Sequence, residues 1–518
     1  MNAIEEAIKA RIDSRDIATL LEFPASDHGM RTAVSFEGVN LSYAVLRNTS
    51  KAMAGGLLRR GLTTQERVAT LLPNSLEIYQ LYFATAAARG IFMPLNRDFA
   101  ASEIAYMVNQ AKPKLMFTCS ELKGRLDEAL ALVDEKPEVL LIEETKPHGQ
   151  RLSYLESPDT ILPSTDPEDV VLISYTSGST STPKAIAFSH RVELDGAKLY
   201  EDAWGLSSQD KTLISMSLGW TYGINPGSFP EFRAGASVAL LEKFNPVKVL
   251  RAIQEQKVTV MKGVPTMYAM MVAHVEETGI KYDLSTLRLA LCAGAGLAPS
   301  LAEKFEATFG IGLTNFFGIS EVKLVASPRW DDNFRVPRGS VGRPPPGVEV
   351  RFVDEQMNDV PVGETGEILV RSLGWMTGYF LEPDKTKACD FNGWYLSGDL
   401  GRVDDKGFIY HEGRSREQII RGGAKVAPAE VEAVLMAHPG ISLAAVIGVP
   451  DELWGETVKA LVVRKDSQLT SDDVVTFCRG KLASFKVPTD IEMVESLPIG
   501  PTGKVQKKLL NRQRTAAG

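Results

Sequence analysis

From about residue 67 to residue 325, apolar runs of strand length, such as VATLLP at 68–73 and KLMFTC at 114–119, alternate with helix-like segments. This alternation is the pattern of largely parallel sheets with helices on their faces, and it narrows the fold to the α/β class. Two units read clearly. Asn245 is placed to cap a helix that opens with Pro246, runs through VKVLRAIQEQ and leads into the strand VTVMKGV at 258–264. Further on, the strand LRLALC at 287–292 precedes the helix PSLAEKFEATF at 299–309, which Gly310 can end because glycine tolerates a left-handed conformation.

The pattern then changes. Between about 340 and 412 the strands VEVRFVD, GEILVRS and GFIYHEG are punctuated by Gly, Pro and Asp, which predicts a smaller β-rich subdomain. The stretch GRSREQIIRGG at 413–423 combines charge with glycines and is the expected boundary at which one part moves against another. Beyond it, the helix PAEVEAVLMAH, the strands LAAVIGV and TVKALVV, and a helix started by Thr470 with Asp473 three residues on predict a compact α+β domain. The expected organisation is a large N-terminal domain at 1–414, built of α/β sheet subdomains and a β-rich one, and a small mobile C-terminal domain at 415–518.

Composition excludes several classes of function. With 518 residues, 44% hydrophobic and 24% charged, the chain can bury more than one core. A net charge of -8 leaves no basic footprint for a phosphate backbone, so no nucleic-acid partner is expected. Cys119, Cys292, Cys389 and Cys478 lie far apart without a C-x-x-C pair, which predicts free thiols rather than a disulfide framework or a zinc site. The first 23 residues mix charges with apolar residues at helical spacing, unlike a signal peptide, and no segment approaches the ~20 apolar residues of a membrane span. A cytoplasmic protein without integral membrane contact is expected, as a monomer or homodimer.

Chemistry concentrates in YTSGSTSTPK at 175–184, where small hydroxylated residues surround Gly178 just after the apolar run VVLIS. Such a loop can turn N–H groups and hydroxyls toward an anion, and Lys184 at its end adds a compact positive charge suited to phosphate. The Walker spacing G-x-x-x-x-G-K-[ST] is absent. Downstream stand FFGISE at 316–321, YLSGDL at 395–400, GRSREQIIRGG at 413–423 and PTGK at 501–504. Together and in this order, these five stretches resemble the signatures of the adenylate-forming superfamily of acyl-CoA synthetases, nonribosomal adenylation domains and firefly luciferase, over essentially the whole chain.

The resemblance implies an ATP-dependent acid–CoA ligase that works through an acyl-adenylate, with ATP, Mg²⁺, coenzyme A and a small carboxylic acid as reaction partners. Both the attacking carboxylate and ATP are anions, so such a site needs positive groups and a divalent ion. By resemblance Thr176, Ser177, Gly178, Ser179 and Thr180 meet the ATP phosphates, together with Lys184. Glu321 holds magnesium, with the Thr180 hydroxyl as a further ligand. Phe317 stacks on adenine beside Phe316, Gly318 and Ser320, and Gly294, Ala295 and Gly296 let backbone approach the nucleotide. Asp399 accepts from the ribose hydroxyls, Arg414 also reaches the nucleotide, and Lys504 is the adenylation lysine. Arg416 marks the hinge, and Gly422 and Gly423 line the channel for the thiol acceptor.

Three positions depart from the family pattern. Ser181 and Ala185 stand where the phosphate loop usually has glycine, and Arg416 where the hinge is often Asp or Lys. If position 181 needs a positive φ, serine costs about 1 to 2 kcal/mol there, so slowed or retuned adenylation is expected. The 14 residues after Lys504 hold no fused carrier domain, which makes coenzyme A the expected acceptor. A separate carrier protein and a catalytically silent nucleotide-binding scaffold are the alternatives.

For the acid, the resemblance points to SLGWTYGIN at 217–225, KGVPT at 262–266, Ala293 to Gly296 and Phe316. Trp220 and Tyr222 offer flat apolar surface to an aromatic or short to medium chain acid. Lys262 interrupts an apolar run; it meets a second carboxylate or a polar group on the substrate, or it pairs with a protein acid or reaches the surface.

Overall fold

The structure, a computed structural model, describes residues 16–22, 29–176, 183–422, 424–451, 453–479, 481–500 and 505–512. Lys504, expected to be the adenylation lysine, lies outside the described residues, as do most of the 175–184 loop and most of the N-terminal stretch.

Two seven-stranded sheets dominate. One runs in spatial order Gly378–Tyr379, Lys184–Ser189, Val170–Thr176, Ile91–Leu95, Arg67–Leu71, Leu115–Thr118, Glu138–Leu141. Its five strands from Val170–Thr176 onward are parallel; the other two pair antiparallel. The other sheet, from Leu313–Asn315 to Thr32–Phe36, is parallel as far as that strand and ends on antiparallel Val39–Ser42. Strands buried on both faces call for near-continuous apolar runs, and Leu115–Thr118 and Leu289–Cys292 are wholly buried, with the Thr118 hydroxyl donating to the Leu71 carbonyl.

One apolar core draws side chains from both large sheets, Val68 and Phe92 from the first with Val34 and Ile214 from the second. Within it the helix Leu76–Ala87 is buried at every residue, and Thr221–Ala234 at all but its last. A helix buried on every side belongs between layers rather than on a surface, and its polar residues, such as Glu231 and Arg233, are ion-paired there.

Local signals set several boundaries. The Asn245 side chain accepts from Lys248 N–H at the start of Pro246–Gln256, and Gly310 ends Pro299–Phe309 at φ 72°. Thr470 and Asp473 bond reciprocally, each side chain accepting from the other's N–H, at 3.0 and 3.2 Å.

A five-stranded antiparallel sheet spans Val348–Val353, Gly366–Ser372, Asp390–Phe391, Trp394–Val403 and Ile409–Arg414. One part of the expected β-rich segment leaves it, since Gly378–Tyr379 joins the first large sheet against Ile186 and Ala187. From Ile419 to Val494 five strands form a separate sheet, with apolar clusters of their own. The four cysteines are free. Among the described residues no helix is long and apolar enough to cross a membrane.

Candidate active site

Glu321 sits on a hairpin. Phe317–Ile319 and Lys323–Ala326 pair antiparallel and reverse through Ser320 to Val322. The reversal puts Lys323 at φ 64°, a left-handed conformation that disfavours residues bearing a Cβ. Its ammonium makes a buried ion pair with Glu193 and lies 3.4 Å from the centre of the Phe188 ring. Burial pushes the Glu193 carboxyl up and the Lys323 ammonium down, and each partner's charge pulls the other back. Gly318 completes the turn, because a Cβ there would stand 2.9 Å from the Lys323 carbonyl oxygen.

The turn aims the buried Glu321 side chain at Tyr379, whose hydroxyl donates to Glu321 Oε1 at 2.8 Å. Lys184 Nζ donates to the same phenol oxygen at 3.3 Å, and Tyr379 is held there by pairing of its strand with Ile186. Cation, phenol and carboxylate thus form one row. Burial, then the Glu321 charge, pushes the Tyr379 hydroxyl far above its ordinary value, and the same two causes act on Tyr395 beside it. Both phenols therefore stay protonated at any physiological pH. A cleft of about 650 Å³ opens along Tyr379, bounded by Trp375, Leu381, Pro383 and Asp390. Tyr379 carries no signal in the sequence that distinguishes it from a core tyrosine.

No group of three or more His, Cys, Asp or Glu side chains that would cage a metal occurs among the described residues. The lone carboxylate suits Mg²⁺, which keeps waters and substrate phosphates as most of its ligands. Thr176, half-buried, ends its strand opposite Lys184. Ser177, Gly178, Ser179, Thr180 and Ser181 lie outside the described residues. Ala185 lies in the extended strand Lys184–Ser189, where a Cβ is no burden.

A second cluster joins residues that the sequence separates. Asp399 is buried, and its Oδ1 meets Arg414 Nε and His411 Nε2, each at 3.2 Å. The His411 ring contacts Phe317, with centroids 4.7 Å apart and planes inclined by 42°. Phe317, Asp399 and Arg414 therefore come together, and His411 joins them. Gly294, Ala295 and Gly296 follow the strand Leu289–Cys292 and are exposed.

A third cluster is aromatic. Trp220 and Tyr222 pack edge to face at 5.3 Å, Tyr222 meets Phe316 at 5.6 Å, and the Tyr222 hydroxyl donates to the Gly263 carbonyl at 3.0 Å. Lys262 is not brought to this cluster. Fully buried, it is ion-paired with Glu231, donates to the Pro226 carbonyl and lies 4.4 Å from the Trp204 ring centre. Of the roles open to it, the structure shows pairing with a protein acid.

In the C-terminal part, Arg416 lies in the short turn Ser415–Glu417. Gly422 adopts φ 57° and abuts Trp454, whose ring carbon a Cβ would approach to 2.6 Å. Gly423 and Lys504 lie outside the described residues. Lys507, three positions on, bonds Glu432 at 2.6 Å.

A lysine and a carboxylate bridged by one phenol, a carboxylate–arginine–aromatic cluster and a group of packed aromatic rings together fit an enzyme that activates acids with a nucleotide. Residues 21–380 match the AMP-binding enzyme family and residues 430–504 its C-terminal domain, and the chain belongs to that family. It is an acyl-CoA ligase of the AMP-forming kind, whose reaction uses ATP and coenzyme A. An indoleacetate–CoA ligase from Aromatoleum aromaticum is 32% identical, over 92% of this chain and 94% of its own. A feruloyl-CoA synthase from an Amycolatopsis species is 32% identical, over 93% and 96%. Among solved structures, ATP-bound MatB from Rhodopseudomonas palustris superposes with a TM-score of 0.86 at 30% identity, over 96% and 98% of the two chains.

Proposed function

We propose that this ligase activates an aromatic or compact apolar carboxylic acid, with Trp220, Tyr222 and Phe316 forming the acid surface. The observation that carries this reading is the edge-to-face packing of those three rings, together with the withdrawal of Lys262 onto Glu231. A substrate with a second carboxylate would find no use for an ammonium already paired in the core. The relatives that act on indoleacetate and ferulate support the same class.

In the first step a carboxylate oxygen of the acid attacks the α-phosphorus of ATP and pyrophosphate leaves. Lys184 offsets negative charge on the phosphates, and Lys504 carries the positive charge that meets the attacking carboxylate. Glu321, with the Thr180 hydroxyl, would hold Mg²⁺, which when bound screens the phosphate oxygens. Asp399 accepts from the ribose hydroxyls and Phe317 provides the surface on which adenine stacks. In the second step the thiol of coenzyme A attacks the acyl carbonyl and AMP leaves, with Gly422 and Gly423 beside its path and Arg416 at the hinge.

Pyrophosphate release from ATP and Mg²⁺, measured over aromatic, straight-chain and dicarboxylic acids with and without coenzyme A, tests the proposal. Release is expected with aromatic or compact apolar acids, accompanied by thioester when coenzyme A is present. Preference for dicarboxylic acids would overturn the assignment of the pocket, and ATP binding without release for any acid would favour a silent scaffold. Lys504→Ala should abolish acid-dependent pyrophosphate release yet leave conversion of supplied acyl-adenylate and coenzyme A to thioester. Equal loss of both half-reactions would contradict that division of labour.

A further inference from the structure

His411 stands between the two halves of the proposed nucleotide site, and the backbone is shaped to put it there. Asp399 pairs with Arg414 and Leu400 with Gly413, but Gly401 pairs with His411, so Glu412 is an extra residue in its strand. Residues three apart on a regular strand point to opposite faces, since side chains alternate. The one-residue bulge, with Gly413 at φ 113°, reverses that alternation. His411 and Arg414 consequently both reach Asp399 Oδ1, at 3.2 Å each. The displaced Glu412 turns instead to Arg402 and Thr365, at 3.1 and 2.6 Å.

His411 thus makes two contacts of different kinds. Its Nε2–H donates to Asp399, on the five-stranded sheet, while its ring packs on Phe317, on the hairpin that carries Glu321. At 4.7 Å the two rings are already in contact, with no gap between them for a third ring.

We propose that His411 is a positioning residue of the nucleotide site, whose imidazole fixes the Asp399 carboxylate for the ribose hydroxyls and the Phe317 ring for the base. This rests on the assignment of Asp399 to ribose and Phe317 to adenine. One side chain therefore serves both sugar and base recognition, through two separate contacts.

The two contacts can be separated by substitution. His411→Phe keeps a ring against Phe317 and removes the donor; His411→Gln keeps a donor and removes the ring. For the full-length enzyme, kcat/KM in acid-dependent pyrophosphate release is compared for ATP, 2′-deoxy-ATP and GTP. His411→Phe should reduce the preference for ATP over 2′-deoxy-ATP by about tenfold and leave that over GTP unchanged. His411→Gln should do the reverse, and in both the change should fall on KM for ATP more than on kcat. Each ratio is taken within one protein, so a smaller folded fraction cancels. Asp399→Asn is the control. If it abolishes ribose discrimination while both His411 variants keep wild-type ratios, the role of His411 is overturned and the ribose assignment stands. If Asp399→Asn leaves discrimination intact, the ribose assignment itself falls and takes this proposal with it.

Discussion

Glu321→Gln is expected to lower acid-dependent pyrophosphate release by about 10²- to 10³-fold, the range for losing one preorganised electrostatic group in an active site. The amide keeps the size of the side chain and can still accept from the Tyr379 hydroxyl, so the hairpin should persist while the charge that suits a divalent ion is lost. Raising Mg²⁺ should recover part of the rate, which a folding defect would not allow. Tyr379→Phe is the graded companion: it removes a hydrogen bond to a charged acceptor and should cost roughly tenfold. A Glu321→Gln enzyme with wild-type pyrophosphate release across a Mg²⁺ titration would remove Glu321 from the reaction.

What the sequence made legible is what acts locally. Asn245 with Pro246, Gly310, and Thr470 with Asp473 each settle a helix end within a few residues, and each stands where its chemistry predicts. Four of the five ordered stretches likewise hold residues that come together around Glu321 and Asp399, namely Lys184, Phe317 and Arg414 with those two, while PTGK lies outside the described residues. Tyr379 and His411 were not legible, because what places them is register between strands distant in the chain. Tyr379 depends on a two-residue strand finding Ile186, and His411 on a bulge at Glu412 that reads in sequence as ordinary strand. The β-rich segment was legible as strands but not as a sheet that gives up residues 378–379 to another.

The place of Lys262 is tied to a local signal in a distant helix. The helix Thr221–Ala234 contains Pro226 and Pro230, four residues apart. In a regular helix the Pro226 carbonyl would accept from the N–H of residue 230, which proline lacks. Lys262 supplies the missing donor, at 2.5 Å, while its charge is matched by Glu231, which also accepts from Thr212 Oγ1 at 2.8 Å. Burial pushes the Lys262 ammonium down and the Glu231 carboxyl up, and mutual attraction opposes both shifts. An interior lysine opposite a proline pair is therefore a substitute for a helix hydrogen bond.

Lys262→Met should accordingly act on stability rather than on the choice of acid. It leaves Glu231 buried without its counter-charge and Pro226 without a donor, and breaking such a pair from one side costs about 3–5 kcal/mol. Urea unfolding should register that loss. Adding Glu231→Gln removes the stranded charge while keeping an acceptor for Thr212, so the double variant should regain at least half of the stability. Rates per folded molecule should rank the acids as the wild type does, because the Lys262 ammonium points to Glu231 and Pro226 and not to the rings of Trp220 and Tyr222. A changed ranking with little loss of stability would return Lys262 to the substrate pocket. It would also mean that the Lys262–Glu231 pair is not what holds the proline-bearing helix.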